Sequence, residues 1–456
     1  MPRSWKDADK AAAASDVGGG ADRLSELPDD ALYHVLSFLP SDDAVRTSVL
    51  ACRWRHLWKS TRSLRVTWRR DLAGGGRRWP LAPWTASTLT NFMNHLLLLR
   101  GGAPLDRCEI LCGDLHDKQD KDLHKAAGLW IRHALAVRHA RELRVCIRGR
   151  RRLHLDGTLF AASAPLLTTV ELAHATFSAD SSIDFSGCPV LEELTMSFCR
   201  IRADRIYSPS LTRLSFDKYC NFGGETRTRV STPRLVSLRL TVCSGRAPVL
   251  DSMPDLVDAN VRIEDWCDDM CIHNVCNNSG LFSKKQWGHG SKEGCFCVDE
   301  DGSGMYVEDL TCCDSCYGTD DGSSVLLEGL SGATDLELIS DPRVFIFRKD
   351  CNALVFFLQR SPVLENLTLE LGHRETRHPV VETDKSYSPI EQLFVVSKQL
   401  MIVEIKCTEE NEIVKRLLIL LTTHGVHQEQ IHIEHDFCSP YLSGYDSNSD
   451  CDDYDR

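Results

Sequence analysis

Apolar positions at helical spacing near the amino end of the chain, over residues 22–66, predict three short helices separated by helix breakers. The first helix carries an apolar stripe at the spacing i, i+3, i+4, i+7, formed by Leu32, Val35, Leu36 and Leu39. Pro28 starts it, and Pro40 ends it and starts the second. About 45 residues are too few to bury this much apolar surface alone. The module is expected to complete its core against a partner or against the rest of the chain.

A second pattern, Pro-x-Leu-x-x-Leu-x-Leu, recurs farther along the chain. Strong copies occupy 165–172, 189–196, 209–216, 233–240 and 362–369, with a weaker copy at 254–261 and degenerate copies ending at Val145 and Leu338. Up to residue 261 the strong and weak copies are 24, 20, 24 and 21 residues apart, the spacing of leucine-rich repeats. Since one unit cannot cover its own inner face, the units are expected to stack into a curved parallel sheet. Cys199 and Cys243 follow two copies and are expected to be structural.

Further elements flank the repeats. Residues 91–99 and 123–137 have helical spacing, and 105–111 read as a strand. At the carboxyl end, residues 400–407 predict a strand, followed by a helix that carries Leu417, Leu418 and Leu421 and by a last strand at 431–433. This βαβ-like unit is expected to cap the open end of the sheet.

Charge is concentrated in one stretch. The chain of 456 residues has a net charge of −12, and residues 264–321 contribute −10 of it through thirteen acids and three lysines. A nucleic-acid footprint is therefore not expected. The apolar runs are too short for a membrane span, and the leader has no apolar core of a secretion signal. Without export, the 20 cysteines are expected to stay reduced, in the nucleus and/or the cytoplasm.

The acidic stretch is also rich in cysteine, and it shows no helical or strand period. Cys313 and Cys316 have the spacing of a zinc knuckle, and Cys295 and Cys297 lie upstream, but no second Cys-x-x-Cys completes a site. These four are weak zinc candidates, and a mobile insertion without metal is the alternative, so no cofactor is assigned. Motifs of nucleotide, metalloprotease and hydrolase sites are absent from the sequence. His432-x-Glu434 mimics the start of a deaminase signature, but no PCxxC follows. We therefore expect no enzyme.

Residues 22–66 resemble an F-box in the plant form. The matching residues are Asp22, Leu24, Ser25, Leu27, Pro28, Asp29, Asp30, Leu32, 35–40, Ala44, Val45, 47–50 and 53–58. The carboxyl end resembles the FBD domain of plant F-box/leucine-rich-repeat proteins through Leu400, 403–406, Leu417, Leu418, Leu421, Gly425, Ile431 and Ile433. The resemblance implies a subunit that docks on the Skp adaptor, and through it on a cullin, and that recruits an unknown target protein for ubiquitination.

The predicted fold class is α/β, with a three-helix F-box, a leucine-rich-repeat solenoid whose helices and loops lie on the convex side, and an α/β cap. The predicted domains are a disordered leader (1–21), F-box (22–66), linker and helix (67–104), repeats (105–262), acidic cysteine-rich insertion (263–325), further repeats (326–396), FBD-like cap (397–435) and acidic disordered tail (436–456). The alternatives are a leucine-rich-repeat scaffold or ligand-binding protein without ligase function, and a zinc-dependent regulator that acts through the insertion.

Two sets of site residues follow. The resemblance implies adaptor contacts by Leu24, Leu27, Pro28, Leu32, Val35, Leu36, Leu39, Val45, Val49, Leu50, Trp54, Leu57 and Trp58. The alternation of the repeat strands points Glu193, Thr195, Arg213, Ser215, Ser237 and Arg239 away from the core, as candidates for target binding. No catalytic residue, nucleic-acid partner or membrane contact is predicted.

We predict that deletion of residues 264–322 leaves the melting temperature of the chain nearly unchanged, because charge repulsion keeps this stretch out of the core. Thermal unfolding of the full-length and deleted proteins tests this, with the metal content measured in parallel. A loss of more than a few degrees, or one tightly bound zinc per chain, would instead make the stretch a structural metal module.

Overall fold

The structure is a computed structural model, and it describes residues 26–68, 85–115, 120–149, 152–161, 164–179, 181–223, 226–241, 243–245, 248–263, 295–298, 304–307, 327–340, 354, 358, 361–371, 397–407 and 412–435. The predicted leader, the acidic tail and most of the acidic insertion lie outside these residues. Within the described part, no helix combines the length and the apolarity needed to cross a membrane.

The amino-terminal module begins with two α-helices, α1 (Asp29–Ser37) and α2 (Ser41–Arg46). Pro28 and Pro40 stand at their N-caps in extended conformation, and acidic side chains in both first turns complement the helix dipole. The predicted third α-helix is instead a series of 3-10 turns, Thr47–Val49, Cys52–Arg55 and Leu57–Ser60. The backbone is extended at Ala51 (φ −157°, ψ 161°), so this segment cannot run as one α-helix.

Among the described residues, twelve parallel strands form the main sheet, and they follow one another in the sheet in chain order. Their bounds are β1 (Ser63–Trp68), β2 (Arg107–Leu115), β3 (Glu142–Gly149), β4 (Thr169–Ala173), β5 (Glu193–Ser197), β6 (Arg213–Asp217), β7 (Ser237–Leu240), β8 (Asp258–Ile263), β9 (Asp335–Ser340), β10 (Asn366–Leu371), β11 (Ile402–Cys407) and β12 (Ile431–Glu434). The long parallel sheet of a leucine-rich-repeat chain is therefore confirmed. It begins at Ser63, within the stretch predicted as F-box and well before the predicted start of the repeats at residue 105.

The repeat signature supplies the interior of the solenoid. Leu191 lies two residues before β5, and Leu194 and Met196 alternate inward along it, all three fully buried. The corresponding residues of the next repeat are Leu211, Leu214 and Phe216. Because β5 and β6 pair in register, each interior side chain lies against its counterpart in the neighbouring repeat.

Short strands on the other sides of the solenoid form two smaller parallel sheets. The first flank sheet consists of Leu153–Leu155, Ala175–Phe177, Arg200–Ile201, Cys220–Phe222 and Cys243–Gly245. The second flank sheet consists of Ser182–Asp184, Arg205–Tyr207, Arg229–Ser231 and Val249–Leu250. The sequence does not predict these strands, because segments of two or three residues are too short to show a period of two.

Longer helices appear before the first repeats that match the signature. They are α3 (Ala86–Leu99) and α4 (Asp120–Arg132), which continues as a π-helical turn, His133–Val137. Trp130 joins the two helices, because its indole Nε1 donates to Asn94 Oδ1 at 2.9 Å. Both predicted helices are therefore confirmed, and α3 starts five residues earlier than predicted, at a capping box formed by Thr85 and Thr88.

The acidic insertion does not interrupt the main sheet. β8 pairs directly with β9, with Asp258 opposite Asp335, and a short helix, α5 (Leu327–Leu330), leads into β9. Within the insertion, Cys295–Val298 pairs antiparallel with Gly304–Val307. The expectation that this stretch lacks strands is wrong at this point, because two four-residue runs of apolar and cysteine residues escape detection among the surrounding acids.

The carboxyl end closes the sheet as predicted, with β11, a helix α6 (Glu412–Thr423) and β12 parallel to β11. Leu417 and Leu421 of α6 are buried in the common core, and Leu418 is half-buried against it. Gly425 follows the helix with a φ of 96°, a left-handed conformation that glycine adopts without strain.

We predict that Leu421→Ala lowers the free energy of unfolding by roughly 2–5 kcal/mol, because this fully buried leucine would leave a cavity at the end of the sheet. Urea unfolding of the full-length protein measures the change. Ile419→Ala on the same helix is the control, since Ile419 is 65% exposed and its truncation should cost less than about 0.5 kcal/mol. Equal effects of the two substitutions would contradict the capping role.

Candidate functional site

Five predicted adaptor-binding residues belong to the interior of the amino-terminal module. They are Leu32, Leu36, Trp54, Leu57 and Trp58, each at most 7% exposed. They pack into the common core with β1, and their contact with an adaptor stays a prediction. Leu24 lies outside the described residues.

The remaining predicted residues reach the surface to different degrees. Leu27, Leu39 and Val45 are half-buried against the core, whereas Pro28, Val35, Val49 and Leu50 are exposed. Val49 is 84% and Leu50 68% exposed, unusually high fractions for large aliphatic side chains. They follow α2 in a 3-10 turn that places both outside the core.

Phe38 is a surface residue that the sequence analysis left out of its site. It follows α1, three residues after Val35, and is 60% exposed, with its ring edge-on against His34 at 4.9 Å. The sequence offered a signal, since Phe38 has helical spacing from Val35 rather than from Leu36. We call Val35, Phe38, Val49 and Leu50 the exposed apolar set. All four are large apolar side chains that this small module leaves exposed.

The module and the main sheet share a strand, β1. The main chain of Arg65 in β1 donates to Ser41 Oγ of α2 at 3.0 Å, and its guanidinium Nη1 donates to the carbonyl oxygen of Phe38 at 2.9 Å. Its Nε forms an ion pair with Glu109 of β2 at 2.6 Å. Through its main chain and its side chain together, this one residue links both helices of the module to the second strand of the sheet.

Glu109 is the centre of a charge network on the open face of the main sheet, the face opposite the interior leucines. Its side chain is only 5% exposed, and besides Arg65 it lies near Arg144 at 3.6 Å and Arg107 at 3.8 Å. Arg144 also pairs with Glu171 at 2.5 Å. Alternating charges on adjacent strands stabilise the register of β1–β4, since a buried carboxylate needs such partners.

The predicted target-binding residues lie together on the open face, on three adjacent strands. In register they form two rows, Glu193–Arg213–Ser237 and Thr195–Ser215–Arg239. All six are half-buried or exposed. Arg213 pairs with Glu193 at 3.4 Å, and Ser237 Oγ donates to Asp258 of the next strand at 2.6 Å. The structure thus brings them into one polar block, while their role in target binding stays a prediction.

A column of aromatic rings borders this face at the turns that follow β4, β5 and β6. His174 stacks on Phe198 with ring centres 4.7 Å apart and an interplanar angle of 4°, and Phe198 lies 6.0 Å from Tyr219. All three residues have positive φ, between 53° and 59°. Burial of the imidazole, with Arg148 and Arg152 nearby, lowers the pKa of His174 to about 4.

Comparison with known proteins identifies the amino-terminal module. Residues 24–65 match the model of the F-box domain, which includes α1, α2, the 3-10 turns and the first residues of β1. The amino-terminal module is an F-box domain. The exposed apolar set therefore lies on the surface of the F-box domain. The five buried residues of the module belong to the core of that domain.

Relatives along a longer part of the chain come from Arabidopsis thaliana. An F-box/FBD/LRR-repeat protein is 28% identical over 270 residues, 53% of this chain and 60% of the relative. A putative FBD-associated F-box protein is 30% identical over 53% of this chain and 57% of the relative. A putative F-box/LRR-repeat protein is 31% identical over 54% of this chain and 52% of the relative. The chain thus spans about half to three fifths of the length of these curated relatives.

The thiols of the described repeats have structural surroundings. Burial raises the pKa of Cys108, Cys112 and Cys188 to about 12. Cys199 is buried as predicted, and its Sγ donates to the carbonyl oxygen of Leu172 in the preceding repeat at 3.4 Å. Two other thiols, of Cys220 and Cys243, make the same kind of contact with the strand before them. Cys220 does not fit the pattern of Cys199 and Cys243 in the sequence, because one extra residue displaces it in its repeat.

The remaining candidates from the sequence, for a deaminase-like motif and for a zinc site, form no site within the described residues. His432 and Glu434 are exposed on the last strand, as expected for rim residues. Among the described residues, no group of three or more His, Cys, Asp or Glu could hold a metal ion. Cys313 and Cys316 lie outside that part, and of Cys295 and Cys297 only the strand is described, so the zinc hypothesis stays a prediction.

We predict that the ring of His174 stays neutral down to about pH 5, because its pKa in the folded chain is about 4. The unfolded chain takes up its proton near pH 6.5. Stability from this group is therefore complete above pH 6.5 and is lost as the pH falls from 6.5 through 4. An NMR titration of the ring protons measures the pKa directly.

His174→Asn is the control, since asparagine tolerates the positive φ but does not titrate. The free energy of unfolding of this variant should lose less between pH 7 and pH 5 than that of the wild type. A ring that titrates near pH 6.5 would show that the column does not shield it.

Proposed function

We propose that this chain is the target-receptor subunit of a Skp–cullin–F-box ubiquitin ligase. The F-box domain binds a Skp-type adaptor and through it the cullin, and the open face of the main sheet recruits a target protein. We assign this activity to the nucleus and/or the cytoplasm, where the 20 cysteines of the chain would stay reduced.

The exposed apolar set supports the adaptor-binding part of this proposal. The core of the F-box domain is completed by the chain itself, so Val35, Phe38, Val49 and Leu50 are not needed to hold the domain together. Apolar side chains at the centre of an interface carry most of the binding free energy, and those at its edge carry little. We infer that these four residues form the centre of the adaptor contact, with Pro28 and the half-buried Leu27 nearby in the sequence.

The shared strand β1 is the observation that carries the receptor function. Because β1 is part of the F-box domain and of the main sheet, no flexible linker separates the two surfaces within the described residues. A target on the open face would be held in a fixed orientation relative to the adaptor. A subunit of this kind accelerates transfer by raising the effective concentration of target lysines near charged ubiquitin, without chemistry of its own.

We predict that Phe38→Ala together with Leu50→Ala weakens binding of a purified Skp-type adaptor by well over tenfold. Truncation of a central interface residue costs roughly 2 kcal/mol, and about 1.4 kcal/mol corresponds to a factor of ten. Isothermal titration calorimetry with the full-length protein measures the affinity. The melting temperature should change little, because both side chains are exposed.

The matched control is Leu98→Ala with Leu99→Ala, which truncates two exposed leucines at the end of α3. Adaptor affinity of this control should stay within a factor of two of the wild type. Should both double variants bind equally well, the exposed apolar set is not the contact. Wild-type protein that does not bind the adaptor at all would favour a repeat scaffold without ligase function.

A further inference from the structure

Three arginines of one repeat form a positively charged flank away from the open face. Arg200 lies on the first flank sheet, Arg202 in the turn that follows, and Arg205 at the start of the next strand, on the second flank sheet. Arg202 and Arg205 are exposed, and Arg200 is half-buried. We call these three residues the arginine flank.

The arginine flank differs from Arg65, Arg107 and Arg144 of the open face in its partners. In the part of the chain that the structure describes, no carboxylate pairs with any of the three flank arginines. Arg205 lies over the ring of Tyr207, 4.7 Å from its centroid, and Arg229 lies beside it in register on the next strand. Arg229 is itself neutralised by Asp251 at 2.6 Å. Asp204, between Arg202 and Arg205 in the sequence, is exposed and accepts a hydrogen bond from Thr226 at 2.7 Å. Three arginines against this one aspartate leave the flank with a net positive charge, and it therefore has capacity for an anionic partner.

The carboxyl-terminal segment of this chain has the complementary charge. Residues 436–456 contain six aspartates and one arginine, a net charge of −5. From the end of β12, the repeat that carries the arginine flank is seven strands away, roughly 34 Å at about 4.8 Å per strand. An extended chain covers about 3.3 Å per residue, so the eleven to twenty residues that separate His435 from Asp446 and Asp455 reach this distance and more.

We propose that residues 441–456 dock on the arginine flank of the same chain. Several aspartates pair with Arg200, Arg202 and Arg205, and the covalent connection supplies a high effective concentration that makes up for the weakness of each exposed pair. The contact uses neither the open face nor the exposed apolar set. It is therefore independent of the proposed adaptor and target binding, and it adds an intramolecular partner for a surface that those functions leave unused.

The test uses full-length protein whose tail aspartates are replaced by asparagine, and a fluorescein-labelled synthetic peptide of residues 441–456 as the probe. The replaced residues are Asp446, Asp450, Asp452, Asp453 and Asp455. Fluorescence anisotropy measures the affinity at 50 and 300 mM salt. The peptide should bind this protein at least fivefold more tightly than it binds wild type, whose own tail competes, and added salt should weaken binding because exposed charges are screened.

Substitution of the flank then identifies the site. Arg200→Ser with Arg202→Ser and Arg205→Ser should weaken peptide binding at least tenfold, whereas the three corresponding lysine substitutions should stay within about threefold. A control with the same change of charge, Arg55→Ser with Lys125→Ser and Arg132→Ser, should change affinity by less than twofold. All three of its residues are exposed.

Three results would overturn the proposal. The first is equal binding of the peptide to wild type and to the protein with the neutral tail. The second is an equal loss of affinity in the flank variant and in the control. The third concerns a peptide from the acidic stretch, residues 296–321. If the flank substitutions weaken its binding more than they weaken binding of the tail peptide, the occupant of the flank is the insertion.

Discussion

Contact between the interior side chains of successive repeats is the interaction on which the rest of this structure depends. Leu194 is buried only because Val170 and Leu214 lie on either side of it in register. Burial of such a side chain contributes roughly 1.5–3 kcal/mol, and no repeat can gain it alone. The first and last repeats therefore need covers of a different kind, and the two ends of the sheet meet that need in different ways.

At the amino end the cover is the F-box domain. Trp54 and Trp58 of the domain belong to the same continuous core as Leu64 of β1 and the repeat leucines. The apolar pattern alone is compatible with a module that completes its core against a partner or against the rest of the chain. In the structure, the two tryptophans pack against the rest of the chain, whereas the exposed apolar set faces outward. Loss of the contact with β1 would thus expose the core of the domain as well as the edge of the sheet.

How well the sequence predicted each element depended on the length of its pattern. The signature of residues 189–196 spans eight positions, and all of its predicted interior residues are buried. By contrast, β1 offers only Leu64 and Val66 as an alternating pair, so it was read as part of a helical module. Surface and core residues of the F-box were confused for a related reason: Val35 and Leu36 are adjacent on one helical stripe, and only the packing of α1 shows that Leu36 points inward and Val35 outward.

Charged side chains of the open face differ from the arginine flank in whether a partner of opposite charge already holds them. Along β1–β3, Arg65, Arg107 and Arg144 already hold carboxylates, so a partner that binds them has to displace ion pairs that the fold has formed, at the cost of desolvation. Farther along, at β8 and β9, Asp258 and Asp335 accept hydrogen bonds from neutral Ser237 and Asn366. Neutral donors leave the charge of a carboxylate uncompensated. The free energy gained by binding a charged partner therefore differs from one part of the sheet to another, although the backbone repeats regularly from strand to strand.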